Sequence, residues 1–192
     1  MTQAYNSANH LFAVINARHS DGLLVEPAPS QAQLHQVIEA ALAAPDHHRL
    51  HPWQFLTVQG EARHKMGGVL REALLARGET DEIALNKVLG SPLRAPLILV
   101  CVVKVQTHPK VPEVEQVLSM GAAVQNILLM LQAQGFSGMW RTGAVTSSPV
   151  VKAAFGLAEQ DIIAGFVYIG SLTREIAPRV IPPVADFLQD WQ

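Results

Sequence analysis

The sequence predicts an α+β or α/β sandwich in which helices interleave with few strands. Three observations carry that prediction. Ser30 and Gln33 form a capping box ahead of a helical repeat, Leu97 to Val103 is an unbroken apolar run of strand length, and residues 114–134 are apolar over most of a helix's circumference.

Taken in order, Leu11, Val14, Ile15 and Arg18 share one helical face, which places the run at 18 to 20 near a helix C-terminus, where a cation suits the dipole. After Ser30, the residues Leu34, Val37, Ile38, Ala41 and Leu42 repeat at helical spacing until Pro45 stops them. Residues 53–58 alternate and carry aromatic and β-branched side chains, so they read as a strand. Met66, Val69, Leu70, Ala73 and Leu74 suit a helix ended by Gly78, and Pro96 introduces the central strand. The long helix over 114–134 is stopped by Gly135, leaving Phe136 to Arg141 room only for a strand or a turn, with backbone exposed at Gly138. Ser148-Pro149 opens a short helix ending at Gly156, and 162–169 is the last strand. Pro178, Pro182 and Pro183 keep the final segment out of any regular element, and it is long enough to reach across a neighbouring surface.

Of the 192 residues, 49% are hydrophobic and 16% charged, against roughly 25% charged on average, so the chain can bury a large core. No linker, repeat or charge block divides it, and residues 1–192 are expected to form one domain. Disorder and fibrous repeats are excluded. A net charge of -2 gives no basic field for a nucleic-acid backbone. The single cysteine, Cys101, lies in the central apolar run and can make no internal disulfide. The first twenty residues lack a secretory pattern and no apolar stretch approaches the ~20 residues of a membrane helix, so the expected location is the cytoplasm, off the membrane. The low charge leaves apolar surface that a second copy would cover.

Nucleotide motifs with a backbone cradle are missing: there is neither G-x-G-x-x-G nor G-x-x-x-x-G-K-[ST]. A phosphate would therefore be held by isolated side chains, with Arg18, Ser20, Arg141 and Arg179 as candidates. His47 and His51 have the i, i+4 spacing of two metal ligands on a helix, yet Pro45 and Pro52 argue against a shared helical face. A polar loop, a loop lining a ligand cavity and a zinc site all stay open for that cluster. A nucleophilic triad has no G-x-S-x-G, and Glu113 and Glu115 read as acids that complement a helix start.

Three segments together resemble the FMN-dependent nitroreductase family, most closely its compact YdjA-like branch. They are Arg18-His19-Ser20, the stretch from Ala44-Pro45-Asp46-His47 to Pro52-Trp53-Gln54-Phe55, and Gly135-Phe136-Ser137-Gly138-Met139-Trp140-Arg141-Thr142-Gly143. The resemblance implies an α+β sandwich with a central mixed sheet flanked by helices, and an intertwined homodimer with two flavin sites at its interface. It implies FMN as cofactor and NAD(P)H as donor, with ping-pong hydride transfer through flavin N5 to a small-molecule acceptor such as a nitroaromatic or quinone. Arg18, His19 and Ser20 would hold the flavin, His47 would line it, Trp140, Arg141 and Thr142 would pass the ring edge, and Arg179 would meet the phosphate. The chemistry would be the flavin's, with no catalytic side chain and no metal. Many members carry Asn-x-Gln-Pro-Trp where this chain has Arg49-Leu50-His51-Pro52-Trp53, and often Arg where it has His19. A non-catalytic flavin or small-ligand dimer is the alternative, and a His-ligated metal protein the third reading.

Overall fold

The computed structural model of the chain describes residues 2–192, with side chains from Asn6 onward. Six helices and four strands follow in the order α1 (Thr2–Ala17), α2 (Gln31–Leu42), β1 (Trp53–Gln59), α3 (Ala62–Ala76), α4 (Glu82–Leu89), β2 (Leu97–Val103), α5 (Glu113–Ala133), β3 (Ser137–Arg141), α6 (Pro149–Ala154) and β4 (Ile162–Gly170). The α+β sandwich is as expected.

The strands form one sheet in the order β1-β2-β4-β3. Where a mixed sheet was expected, every pairing among the described residues is antiparallel. The connections explain the difference. Leaving β1, the chain goes out along α3 and returns along α4 to the same end of the sheet, where Gln59 pairs with Leu97. A single crossover helix would have delivered a parallel neighbour; α5 does make such a crossover, from β2 to β3, but β4 inserts between those two strands.

β2 is buried along its whole length, and its alternation divides the core. Leu97, Leu99, Cys101 and Val103 face α2 and α5, while Ile98, Val100 and Val102 face α3 and α6. At 21 residues, α5 is long and apolar enough to cross a membrane, with a mean hydropathy of 1.4, which corrects the expectation that no apolar stretch approaches that length. Its apolar residues have a different use: Met120, Ala123, Val124, Ile127 and Leu131 are fully buried in this core.

Local signals held well. The Ser30 hydroxyl accepts from the Gln33 amide at 3.4 Å, and the Gln33 side chain accepts from the Ser30 amide at 3.0 Å. Past α5, Gly135 takes φ +82, the Phe136 amide reaches Leu131 O at 2.9 Å and the Gly135 amide reaches Gln132 O at 3.1 Å, a Schellman closure. The structure adds α4, which is short and capped by the Asp81 side chain on the Ile83 amide at 2.9 Å. Gly138 is a correction: it is buried rather than exposed, and a Cβ there would stand 2.7 Å from Leu128 Cδ2. Its missing side chain lets α5 lie close on β3.

Candidate functional site

Arg18 follows the last turn of α1, its amide still bonded to Val14 O at 3.2 Å, so its guanidinium begins where the helix dipole is negative. From there it donates to Ser20 Oγ at 3.3 Å. Arg179, in the proline-rich tail, donates to the Arg18 carbonyl at 2.6 Å. Among the described residues neither guanidinium has a carboxylate partner: the nearby acid, Asp21, accepts instead from Arg174 at 3.1 Å and from the Leu23 amide at 3.0 Å. Burial first, then the charge of Arg179, pull Arg18 below the ordinary arginine range.

His19 completes this group. Its Nδ1 lies 2.7 Å from the Ala17 carbonyl, which can only accept, so Nδ1 carries the proton. Nε2 is buried and has no hydrogen-bond partner. His19 and Arg179 line a cavity of about 470 Å³ together with Asn16, Gln132 and Ser137. Two uncompensated guanidinium groups and a hydroxyl are a donor set suited to a phosphate dianion, and so they fit the phosphate end of FMN, whereas His19 Nε2, bare while Nδ1 carries the proton, is an acceptor suited to a hydroxyl or N–H of the same cofactor.

The other expected residues lie elsewhere. Trp140 and Arg141 occupy successive positions of β3 and point to opposite faces of the sheet. The Trp140 indole donates to Ala164 O at 3.0 Å across Gly165, where the register between β2 and β4 shifts. Arg141 crosses to the α3 side, sits 4.9 Å over the Tyr168 ring and reaches Gly22 O at 3.4 Å. Arg141 and Thr142 line a second cleft of about 280 Å³, distinct from the one at His19 and Arg179.

His47 is furthest away. Its Nδ1 meets Glu115 Oε2 at 2.6 Å in the first turn of α5, whereas Gln132, at the other end of that helix, lines the Arg179 cavity. At ~1.5 Å rise per residue the two ends are about 25 Å apart. Glu115, expected only to complement the helix dipole, is therefore also the partner of His47. The loop itself is strained: His48, Arg49 and His51 take φ +61, +54 and +49, and the Asp46 carboxylate holds the His51 amide at 2.7 Å. His47 and His51 thus share no helical face, as Pro45 and Pro52 suggested. Among the described residues no group of three or more His, Cys, Asp or Glu is placed to hold a metal ion.

Residues 15–171 match the sequence profile of the Nitroreductase family. The chain is 45% identical over 154 residues to the Escherichia coli (strain K12) protein named "Putative NAD(P)H nitroreductase YdjA", covering 80% of this chain and 84% of that one. It is 36% identical over 159 residues to a Haemophilus influenzae protein named "Putative NAD(P)H nitroreductase", covering 82% of this chain and 86% of that one. Among solved structures it is similar to a nitroreductase-like family protein from Bacillus cereus, with TM-score 0.79, 20% identity and coverage of 95% and 96%. A nitroreductase with bound FMN from Bacteroides fragilis superposes with TM-score 0.73 at 18% identity, covering 95% and 98%.

Proposed function

The chain belongs to the Nitroreductase family, and from that premise we propose that it is an FMN-dependent NAD(P)H oxidoreductase built as one flavin-binding domain. The observation that carries this reading is Arg179, which lines a cavity of about 470 Å³ with His19 and its unpaired Nε2, is bonded to the Arg18 carbonyl and, like Arg18, has no carboxylate partner among the described residues. When bound there, FMN supplies two-electron chemistry between NAD(P)H and an acceptor such as a nitroaromatic or quinone.

The protein's part is binding and orientation. Arg18 and Arg179 neutralise the phosphate, the Ser20 hydroxyl adds a neutral contact, and His19 Nε2 accepts from a hydroxyl or N–H of the cofactor. Trp140 and Thr142 present the β3 edge to the ring, and a single face left open lets donor and acceptor take turns, which gives ping-pong kinetics.

A homodimer completes the site. His47 and the Arg18 group lie at opposite ends of α5, so one chain cannot place both on one flavin. Antiparallel packing of α5 against its copy brings the ends together, and Val114 and Leu118, 59% and 67% exposed, supply an apolar stripe for that contact. Leu11 and Phe12 on α1, and Phe187, Leu188 and Trp191 in the tail, are further apolar residues left bare on the single chain.

The test is the visible spectrum of the purified protein before and after anaerobic NADH and then NADPH. Flavin bands that bleach with either nucleotide, with parallel initial-rate lines against donor and acceptor, are expected. A protein that retains flavin but does not bleach is the non-catalytic binding dimer instead, and one that takes up no added FMN overturns the reading.

A further inference from the structure

The cleft on the α3 side of the sheet holds a second pair of uncompensated guanidinium groups. The Nη2 atoms of Arg94 and Arg141 stand 2.7 and 3.4 Å from the point that a Cβ on Gly22 would occupy, so the two groups flank one glycine. Neither has a carboxylate partner among the described residues, and no acid lines the cleft. Lys87, Ser91, Thr142 and Tyr168 line it with them, which gives three cations and three hydroxyls at about 280 Å³. Arg141 Nε is buried with no hydrogen-bond partner. Arg141 is held in place from the other side by the Tyr168 ring, and Arg94 by the backbone bond of its carbonyl to the Leu24 amide at 2.8 Å.

Like charges brought together in a partly buried cleft repel unless an anion joins them. The cleft is smaller than the roughly 300–1,000 Å³ of a pocket that takes a whole drug-sized ligand, so it suits one group of a larger molecule. FMN carries one phosphate, which the reading above assigns to Arg18 and Arg179, and neither of those residues lines this cleft. We propose that Arg94, Arg141 and Lys87 form a second phosphate subsite, which binds a phosphate of the substrate rather than of the flavin. The pyridine-nucleotide donor and a phosphorylated acceptor are the two sources of that group. The assignment of the donor rests on the oxidoreductase reading above; the phosphate site does not.

The Arg141 backbone can thus border the flavin edge while its guanidinium serves this second cleft, because strand alternation separates it from Trp140. Arg94 becomes a specificity-determining residue. Its side chain makes no hydrogen bond that the fold needs, since its link to Leu24 is through the backbone.

Binding of inorganic phosphate and of pyrophosphate to the FMN-loaded protein tests this by calorimetry, alongside KM for NADH and for NADPH, in the wild type, Arg94→Ala and Arg94→Lys. Loss of one charge-assisted contact is expected to weaken phosphate or pyrophosphate binding about tenfold or more in Arg94→Ala, with part regained in Arg94→Lys and flavin content held. A rise in KM for NADPH alone assigns the subsite to the extra phosphate of that donor, a rise for both donors assigns it to their shared diphosphate, and weakened phosphate binding with neither KM changed assigns it to a phosphorylated acceptor. Equal phosphate binding in wild type and Arg94→Ala overturns the proposal, as does loss of FMN from Arg94→Ala, which would make the cleft part of the flavin site. If wild type neither holds FMN nor oxidises NAD(P)H but Arg94→Ala still loses phosphate, the oxidoreductase reading fails and the subsite stands.

Discussion

The Arg179 guanidinium donates to the Arg18 carbonyl at 2.6 Å, a bond that closes a loop of 161 positions and fixes the proline-rich tail beside the end of α1. It brings the positive charge of Arg179, which lines the His19 cavity, close enough to act on Arg18, and neither has a carboxylate partner among the described residues. Arg18→Ala is therefore expected to lower FMN affinity by about ten- to a hundredfold, the loss of a charge-assisted contact of ~1.5–3 kcal/mol. In the flavin-free protein the same change relieves repulsion and stays within about ±0.5 kcal/mol of neutral. Fluorescence titration with FMN and urea unfolding of the apoprotein check the two halves, and unchanged flavin retention would remove Arg18 from the site.

Gly165 takes φ +150, and a Cβ there would stand 2.2 Å from Trp140 Nε1 and 2.7 Å from Arg141 O. Gly165→Ala must displace the indole and break its bond to Ala164. We expect about 1–3 kcal/mol from backbone strain and more from the clash, read as a lower urea midpoint together with a shift in tryptophan emission. Gly60→Ala, at φ +55 with open space around it, carries only the strain. Equal losses for the two variants would refute the close approach.

Asp21 gives the pH dependence a sign. The Leu23 amide chiefly, with Arg174 and the Gly22 amide, holds its carboxyl below the ordinary aspartate range against an opposing push from burial. A depressed folded value contributes stability that is present above about pH 4 and is lost as pH falls through the folded value. Asp21→Asn should lower Tm at pH 7 and leave it close to wild type at the acid end. Parallel Tm curves over that range would show that the carboxylate makes no such contribution.

Cys101 is fully buried in β2, and burial pushes its thiol up to about 12. A disulfide reagent at neutral pH should react only as fast as the protein opens, and so report global unfolding. Prompt labelling of the native protein would contradict the closed sheet.

Much of this protein is written locally. The Ser30–Gln33 box, the glycine after α5, the Pro149 start of α6 and the β2 run each depend on neighbours a few residues apart, and each appears where its residues predict. Only α4 escaped, being eight residues long with a weak repeat, although Asp81 and Gly90 bracket it. The sheet's direction was not legible, because an antiparallel neighbour depends on whether one helix or two intervene before the chain returns.

The candidate site divides in the same way. The residue types at 18–20, 47, 140–142 and 179 were visible as motifs, yet no spacing reveals that Arg18 and Arg179 adjoin, that Trp140 and Arg141 part to opposite faces, or that His47 lies the length of α5 away. Arg94 and Tyr168 had no signal at all, since each is a single polar residue in an apolar stretch. By itself the sequence determined the elements and the family, because propensity, capping and periodicity act over a few residues. Which charges share a cavity was decided only by the tertiary structure, since an electrostatic contact depends on distance through space and joins residues up to 161 positions apart.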